Sequence, residues 1–258
     1  MPSKPKAYLF GPFFGEVGWE YFRFAPYVIH LKKMNPKIQT VVMTRPERFD
    51  FYGQYADVLV PLNITNDDSY KQEGFKMLGF DAALAKQVCN VLRISYKKKY
   101  KIIETFVPDF SSLRYRIKWQ FPRNKMDYSF APRKLNIKLI NIMIKGKEVI
   151  VVDEGYSYET EKYDVVKIED LKKKIKSTSQ DMKITYYGCL IRLLRKSKFV
   201  ISNLESDVGK LAILLKTTLI YPSRDLTTDQ TFLLNPLNTP IIDCSNIMEG
   251  VDIYENNL

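Results

Sequence analysis

The chain has 258 residues, 45% hydrophobic and 27% charged, with a net charge of +11 at neutral pH. That length suits one large domain or two compact ones, and that balance excludes a disordered chain. No apolar run reaches the roughly 18–20 residues that cross a bilayer, so no transmembrane segment is expected.

The N-terminus, "MPSKPKAYLFGP", has too short an apolar run for a signal peptide. A cytoplasmic location is the expectation, in the host cytoplasm if the source is viral. Cys89, Cys189 and Cys244 are scattered without metal-type spacing and read as buried thiols.

In chain order, Ala7 to Phe10 predicts a first strand, which runs into "GPFFGEVGWE" with Gly11, Gly15 and Gly18 around Glu16. Trp19 to Lys33 predicts a helix carrying Pro26. "IQTVVMT" from Ile38 and "YADVLVPL" from Tyr55 predict two more strands. Strand, helix, strand, loop, strand is the start of an open, parallel α/β sheet. Asp67 to Asn90 reads as helical. Arg93 to Arg133 reads as loop, with Pro108, Pro122 and Pro132 in it.

A second α/β pattern follows. "KEVIVVDEG" predicts a buried strand ending in Asp153, Glu154 and Gly155. "VVKIEDLKKKIKSTS" reads as strand or turn and then a basic amphipathic segment. "MKITYYG" reads as the end of a strand, "CLIRLLRKSK" as a short helix and "FVISN" as a strand. A helix from Ser206 to Lys216, a strand at "TTLIYP" and a last strand at "PIIDC" complete the pattern. The expected plan is two domains, 1–145 and 146–258, with a cleft between them and a basic excursion at about 93–133.

Charge is concentrated in the middle. From Arg93 to Lys147 there are 15 Lys and Arg against 3 Asp and Glu, an excess of 12, with nine aromatics between Tyr96 and Phe130. Cations interleaved with rings suit a polyanion. A solvated lysine face with aromatics packed beneath it is the competing reading.

Most chemical motifs are absent from the sequence. There is no G-x-G-x-x-G, no G-x-S-x-G, no zinc pattern and no Asp-x-Asp, so no metal is expected. His30, the only histidine, lies in the first helix and reads as a surface or packing residue. What remains is carboxylates, helix starts and cations.

In "FVISNLESDVGKLAILLKTTLIYPSRD" a strand ends at Asn203, a polar turn carries Glu205 and Ser206, and a helix holds Gly209 and Lys210. Arg224 follows the next strand. Free N–H groups and a helix dipole at a sheet's carboxyl edge make an anion site, though an ordinary capped helix has the same spacing.

This segment resembles the donor site of GT-B-type glycosyltransferases, the heptosyltransferase-like group in particular. "GEVGWE", followed by "FAPYV", "TRPERFDFY" and "YADVLVPL", is similar to the first loop of related proteins. Lys210–Leu211 stands where that pattern has His-Leu. The resemblance covers about residues 7–62 and 148–224. It implies two Rossmann-like domains facing a cleft, a nucleotide-sugar donor as co-substrate, and no metal. Gly15, Gly18, Glu154, Gly155, Asn203, Glu205, Ser206, Gly209, Lys210 and Arg224 are then the donor-side candidates.

Glycosyl transfer needs a base for the acceptor hydroxyl and positive charge or N–H dipoles for the departing diphosphate. Glu16 is the candidate base, with a structural role inside its own loop as the alternative and Glu20 as the fallback. Asp153 and Glu154 either meet a sugar hydroxyl or make salt bridges.

For the acceptor, the basic segment favours a hydroxymethylated base in DNA, as in phage-type DNA glycosyltransferases. Lys97, Lys98, Lys99, Arg114, Arg116, Lys118, Trp119 and Arg123 are the candidates, with Tyr115 and Phe121 as further wedges for a flipped base. A surface glycan beside anionic lipid is the rival acceptor. A degenerate, non-catalytic binder of nucleic acid or another anion is the other class of answer.

Overall fold

The computed structural model describes residues 3–13, 17–62, 72–73, 76–77, 82–107, 125–144, 148–178, 184–223 and 237–257. They fall into two compact units, 1–131 and 132–258. All three cysteines are buried and free.

The first unit is built on a parallel sheet of β1 (Lys6–Phe10), β2 (Gln39–Thr44), β3 (Val58–Pro61) and β6 (Lys101–Phe106), in the order β3-β2-β1-β6. A separate antiparallel pair, β4 (Gln72–Glu73) and β5 (Lys76–Met77), lies between β3 and β6 in the chain. β1 pairs with β2 on one side and β6 on the other, which makes it central. Ala7, Leu9 and Phe10 are accordingly buried, on both faces of the sheet, and Tyr8 is half-buried. Ala7 and Leu9 pack with Val41 and Tyr100 on one face. On the other, Phe10 stacks on Phe106 at 4.7 Å and meets the edge of Phe24.

At the end of β1, Gly11 has φ +96°, and a Cβ there would come within 2.4 Å of the Met43 carbonyl. Only glycine permits that approach of one strand end to the next.

The helix expected from Trp19 to Lys33 has a mixed start. A helical turn at Val17–Trp19 leads into five π-helical residues, Glu20–Phe24, and then α1 (Ala25–Met34). Pro26 falls in the first turn of α1, directly after the π-helical segment. Short 3-10 turns at Pro46–Phe51 and Gly53–Tyr55 link β2 to β3.

Two expectations in this unit need correction. The helix expected over Asp67–Asn90 is α2 (Ala82–Lys97), which runs seven residues beyond Asn90, while the β4–β5 pair lies inside the expected range; and the stretch read as loop from Arg93 contains β6. β6 is an edge strand, with Lys101, Ile103 and Glu104 exposed and a register shift against β1 between Ala7 and Tyr8. Half of its residues therefore lack the apolar character of a buried strand, and its sequence conceals it.

The second unit opens with α3 (Lys134–Met143). Five parallel strands follow: β7 (Val149–Val152), β8 (Asp164–Lys167), β9 (Ser197–Ile201), β10 (Thr218–Tyr221) and β11 (Ile241–Asp243). Their order is β11-β10-β9-β7-β8. All four residues of β7 are buried, and each such side chain contributes about 1.5–3 kcal/mol by leaving water. Ile150 and Val152 join Phe199, Ile201, Ile220 and Cys244 in one core.

The helices of this unit are α4 (Ile168–Thr178), α5 (Tyr186–Leu194), α6 (Asp207–Leu214) and α7 (Ile247–Asn256). "MKITYYG" is not a strand end: α5 begins inside it, at Tyr186. Thr185 Oγ1 caps it by accepting from the Gly188 N–H at 3.1 Å. α3 and α7 are additions to the elements expected. No helix among the described residues is long and apolar enough to cross a membrane.

Candidate functional site

In each sheet the strand order reverses at one point, and open α/β sheets bind ligands beyond the carboxyl ends of the strands there. In the first unit the reversal lies between β1 and β6, where the Gly11 N–H donates to the Phe106 carbonyl at 2.8 Å. The chain leaves β1 toward Gly15 and Glu16. It leaves β6 toward Arg114, Arg116, Lys118, Trp119 and Arg123. All of these lie outside the described residues, as do Tyr115, Phe121 and Arg224.

Glu20, the fallback base, is fully buried. Thr44 Oγ1 donates to its Oε1 at 2.5 Å, Tyr52 donates to the same oxygen, and Arg48 donates to Oε2 at 3.0 Å. Burial raises its carboxyl above the ordinary range, while the Arg48 charge and the three hydrogen bonds pull it back. Burial and the Glu20 charge together push the Tyr52 phenol well up. With both oxygens occupied and no exposure, Glu20 ties α1's entry to the end of β2. It does not meet an acceptor. Gly18 is buried in the same entry.

Lys97, Lys98 and Lys99 are exposed. They end α2 and lead into the start of β6, opposite the start of β1, where Lys6 pairs with Lys101. Since the sheet is parallel, they lie at its amino edge. Five residues of strand, about 17 Å, separate that edge from the glycine loop. The three lysines and the end of β1, from which the chain runs on toward Glu16, therefore lie at opposite edges of the sheet.

In the second unit the reversal lies between β7 and β9, and the residues that follow these two strands are joined by a continuous network. Ser202 Oγ donates to Asp153 Oδ2 at 2.5 Å and lies 2.8 Å from Ser206 Oγ. The Glu154 N–H donates to Asp153 Oδ1 at 2.8 Å. Asn203 Oδ1 accepts from the N–H groups of Glu205 and Ser206 at 2.9 and 2.7 Å, which closes the turn into α6. Ser206 Oγ then accepts from the Gly209 N–H at 3.0 Å. That satisfies one of the amide donors that a helix start leaves without an internal partner.

Gly209 is needed here for close approach: a Cβ would lie 2.0 Å from the Asn203 carbonyl oxygen. Gly155 turns the chain after β7 with φ +85° and open space where a Cβ would stand. Glu154 is exposed and held by Lys172 at 2.8 Å, and the Lys172 ammonium lies over the Tyr186 ring.

The electrostatics of this edge differ from the expected anion site. Around the start of α6 stand Asp153, Glu154, Glu205 and Asp207, and the Tyr187 hydroxyl donates to Asp207 at 2.9 Å. Burial raises the Tyr186 phenol, and the charges of Asp153, Asp207 and Glu154 raise it further. Lys172 and Lys210 are the nearby described cations. Carboxylates and hydroxyls of this kind accept hydrogen bonds from the hydroxyls of a ribose or a sugar.

Sequence reasoning missed the neighbouring cavity. It has a volume of about 440 Å³ and is lined by Tyr156, Tyr158, Glu159, Pro222, Asn246 and Met248, among others. These residues follow β7, β10 and β11, so the cavity opens at the carboxyl edge that holds the network. "YSYE" directly after the Asp-Glu-Gly strand end was the available signal. Among the described residues no group of three or more His, Cys, Asp or Glu is placed to hold a metal ion.

Over 99% of its length the chain is similar to the solved structure of a glycosyl transferase of family 9 from Veillonella parvula DSM 2008. The match covers 89% of that chain, with a TM-score of 0.50 and 10% identity. Over 98% of its length it is similar to the ADP-heptose lps heptosyltransferase II of E. coli, covering 99% of that chain, with a TM-score of 0.50 and 12% identity. No protein-family model matches the sequence, and no curated protein matches it. These likenesses establish the fold: two successive parallel α/β units of the GT-B type, as the resemblance in the sequence implied.

Proposed function

We propose that the chain transfers a sugar from a nucleotide-sugar donor to a hydroxyl acceptor without a metal ion. The observation that carries this reading is the second unit's carboxyl edge. There the Asp153–Ser202–Ser206 network and the tyrosine-lined cavity lie side by side at the ends of β7, β9, β10 and β11. The fold shared with two glycosyltransferases, one of them named for an ADP-linked sugar, supports it.

In this reading Tyr156 and Tyr158 receive the nucleoside, and Glu154, Asn203, Glu205 and Ser206 face its hydroxyls. Lys210 and Arg224 supply the positive charge for the diphosphate, since the N–H groups of Glu205, Ser206 and Gly209 are already taken. In the first unit, Gly15 and Gly18 let a ligand come close to the backbone, and Glu16 takes the acceptor proton.

Two acceptors were expected from the sequence. A hydroxymethylated base in DNA is supported by the cations and rings from Arg114 to Arg123, which the chain enters from the carboxyl end of β6. A surface glycan is the rival; the lysine triplet, at the other edge of the sheet and away from any base held at the glycine loop, is assigned to neither acceptor. The hydroxymethylated base is the working acceptor, on the cations and rings that the sequence sets between Arg114 and Arg123.

The donor test is a thermal-shift and hydrolysis panel with ADP-, UDP-, GDP- and CMP-sugars. A shift with one of them supports the transferase reading; a shift with none favours a non-catalytic binder. Slow hydrolysis that survives Glu16→Gln removes Glu16 as the base. Mass spectrometry of nucleosides, after incubating hydroxymethylated DNA with the protein and the sugar pool, decides the acceptor: a glycosylated nucleoside supports the DNA reading, and its absence favours the glycan.

A further inference from the structure

The amino edge of the first unit carries a second feature that the transfer chemistry does not use. A cavity of about 440 Å³ there is lined by Ser3, Lys4, Arg93, Lys97, Lys101 and Ile102. Four of these six side chains are cationic. The Lys4 ammonium donates to the Lys97 carbonyl at 3.2 Å, which fixes the N-terminal segment to the end of α2. Among the described residues none of the four cations forms an ion pair, and Lys98 and Lys99 add two more charges beside them.

Exposed aliphatic side chains accompany this charge. Val91 is 64% exposed and Ile94 66%, while Ile103 on the edge strand β6 is 45% exposed. Val91 and Ile94 are three residues apart, and Lys97 and Lys98 follow a turn later. All four therefore share the exposed side of α2. The opposite side, with Cys89, Leu92 and Tyr96, packs inward.

Three kinds of partner take cationic surfaces, and they want different neighbours. Nucleic acid wants rings or arginine forks beside the phosphate contacts. This patch has five lysines to one arginine, and its exposed apolar groups are branched aliphatics. A protein partner would need a matching acidic surface with an apolar centre. A lipid surface asks for lysines as point charges over anionic headgroups, with aliphatic side chains reaching the acyl boundary.

We propose that the amino edge of the first unit, around α2 and the start of β6, docks on an anionic lipid surface. Lys97, Lys98, Lys99 and Lys101 meet the headgroup phosphates, and Val91 and Ile94 enter the interface. The proposal stands on this patch alone, so it holds or fails apart from the transfer chemistry.

The test is flotation of the full chain with vesicles of phosphatidylcholine, alone or with 30 mol% phosphatidylglycerol, at low and physiological salt. Binding is expected to the anionic vesicles only and to weaken as salt rises. Lys97→Gln/Lys98→Gln/Lys99→Gln should lower the affinity on the order of 100-fold, at a few-fold per lysine. Val91→Ser/Ile94→Ser should lower it on the order of tenfold. These positions are exposed, and an unchanged melting temperature shows that each variant folds.

An Ile94→Cys chain labelled with an environment-sensitive fluorophore gives a second readout, because the native cysteines are buried. Its emission should shift to the blue on anionic vesicles. The absence of binding to anionic vesicles at low salt overturns the proposal. So does binding that ignores the serine pair and the label, or duplex DNA binding at least as tight that is lost in the lysine triple variant.

Discussion

The two units place carboxylates in opposite ways near the carboxyl ends of strands in their parallel sheets. In the first, Glu20 near the carboxyl end of β2 is sealed from solvent, and Thr44, Arg48 and Tyr52 close around it. In the second, Asp153 at the end of β7 is nearly buried, but the chain it holds is not. Glu154 is exposed, and Asn203 and Ser206 are half-buried. A carboxylate with every oxygen occupied by its own fold holds structure. One that fixes a turn and leaves hydroxyl- and carboxylate-bearing neighbours open builds a binding edge. The contrast assigns Glu20 to stability and supports the proposed role of the Asp153 network in ligand binding.

The largest expected effect tests the sealed side. Arg48→Met leaves Glu20 buried without its cation and should cost about 3–5 kcal/mol, read as a lower urea midpoint with an unchanged slope. A loss below about 1 kcal/mol would mean that Glu20 is neutral or relaxes into water.

Next in size is Gly209→Ala on the open side. Its Cβ meets a backbone carbonyl, so α6 must move, at about 1–3 kcal/mol, and donor binding should fall with it. Ser206→Ala removes the cap of α6 and should cost about 1 kcal/mol. A variant of that kind that keeps full donor affinity would detach the cap from the ligand.

The smallest effect is a pH dependence. Glu20's carboxyl is raised in the folded chain, so folding favours its protonated form. Its contribution to stability is fully present below the ordinary carboxyl range and is lost as pH rises through the raised value. Measured against Glu20→Gln, whose amide does not titrate, the wild type's relative melting temperature should decline from pH 4 toward neutrality. A relative rise would mean that Arg48 outweighs burial and that Glu20 is held charged.

Where one strand controls its own environment, its sequence was enough. β7 is buried at all four positions, and "VIVV" says so. β6 was missed because "KIIETF" is an edge strand whose exposed Lys101 and Glu104 belong equally well to a loop. The start of α5 was read as strand because Ile184, Thr185, Tyr186 and Tyr187 are strand formers, and only the cap by Thr185 decides otherwise. α7 was hidden by Gly250, whose missing side chain leaves room for Ile220 and the Cys244 sulfur.

For the site, the Asp153–Ser206 elements were legible because each stands at the end of an apolar run. The role of Glu20 was not, since its partners lie 24, 28 and 32 residues away. Nor was the separation of Lys97–Lys99 from the glycine loop, because that depends on β6 existing and running parallel to β1.

The most direct test of the central claim is calorimetric titration of the wild type and Glu154→Ala with ADP-, UDP-, GDP- and CMP-sugars. Glu154 is exposed, so its loss spares the fold, and a charged hydrogen bond to a sugar or ribose hydroxyl is worth on the order of tenfold in affinity. One donor should bind the wild type and bind Glu154→Ala about tenfold more weakly, while Lys97→Gln at the amino edge of the first sheet leaves it unchanged. Binding of none of the four, or equal binding to wild type and Glu154→Ala, would contradict a donor site at the end of β7.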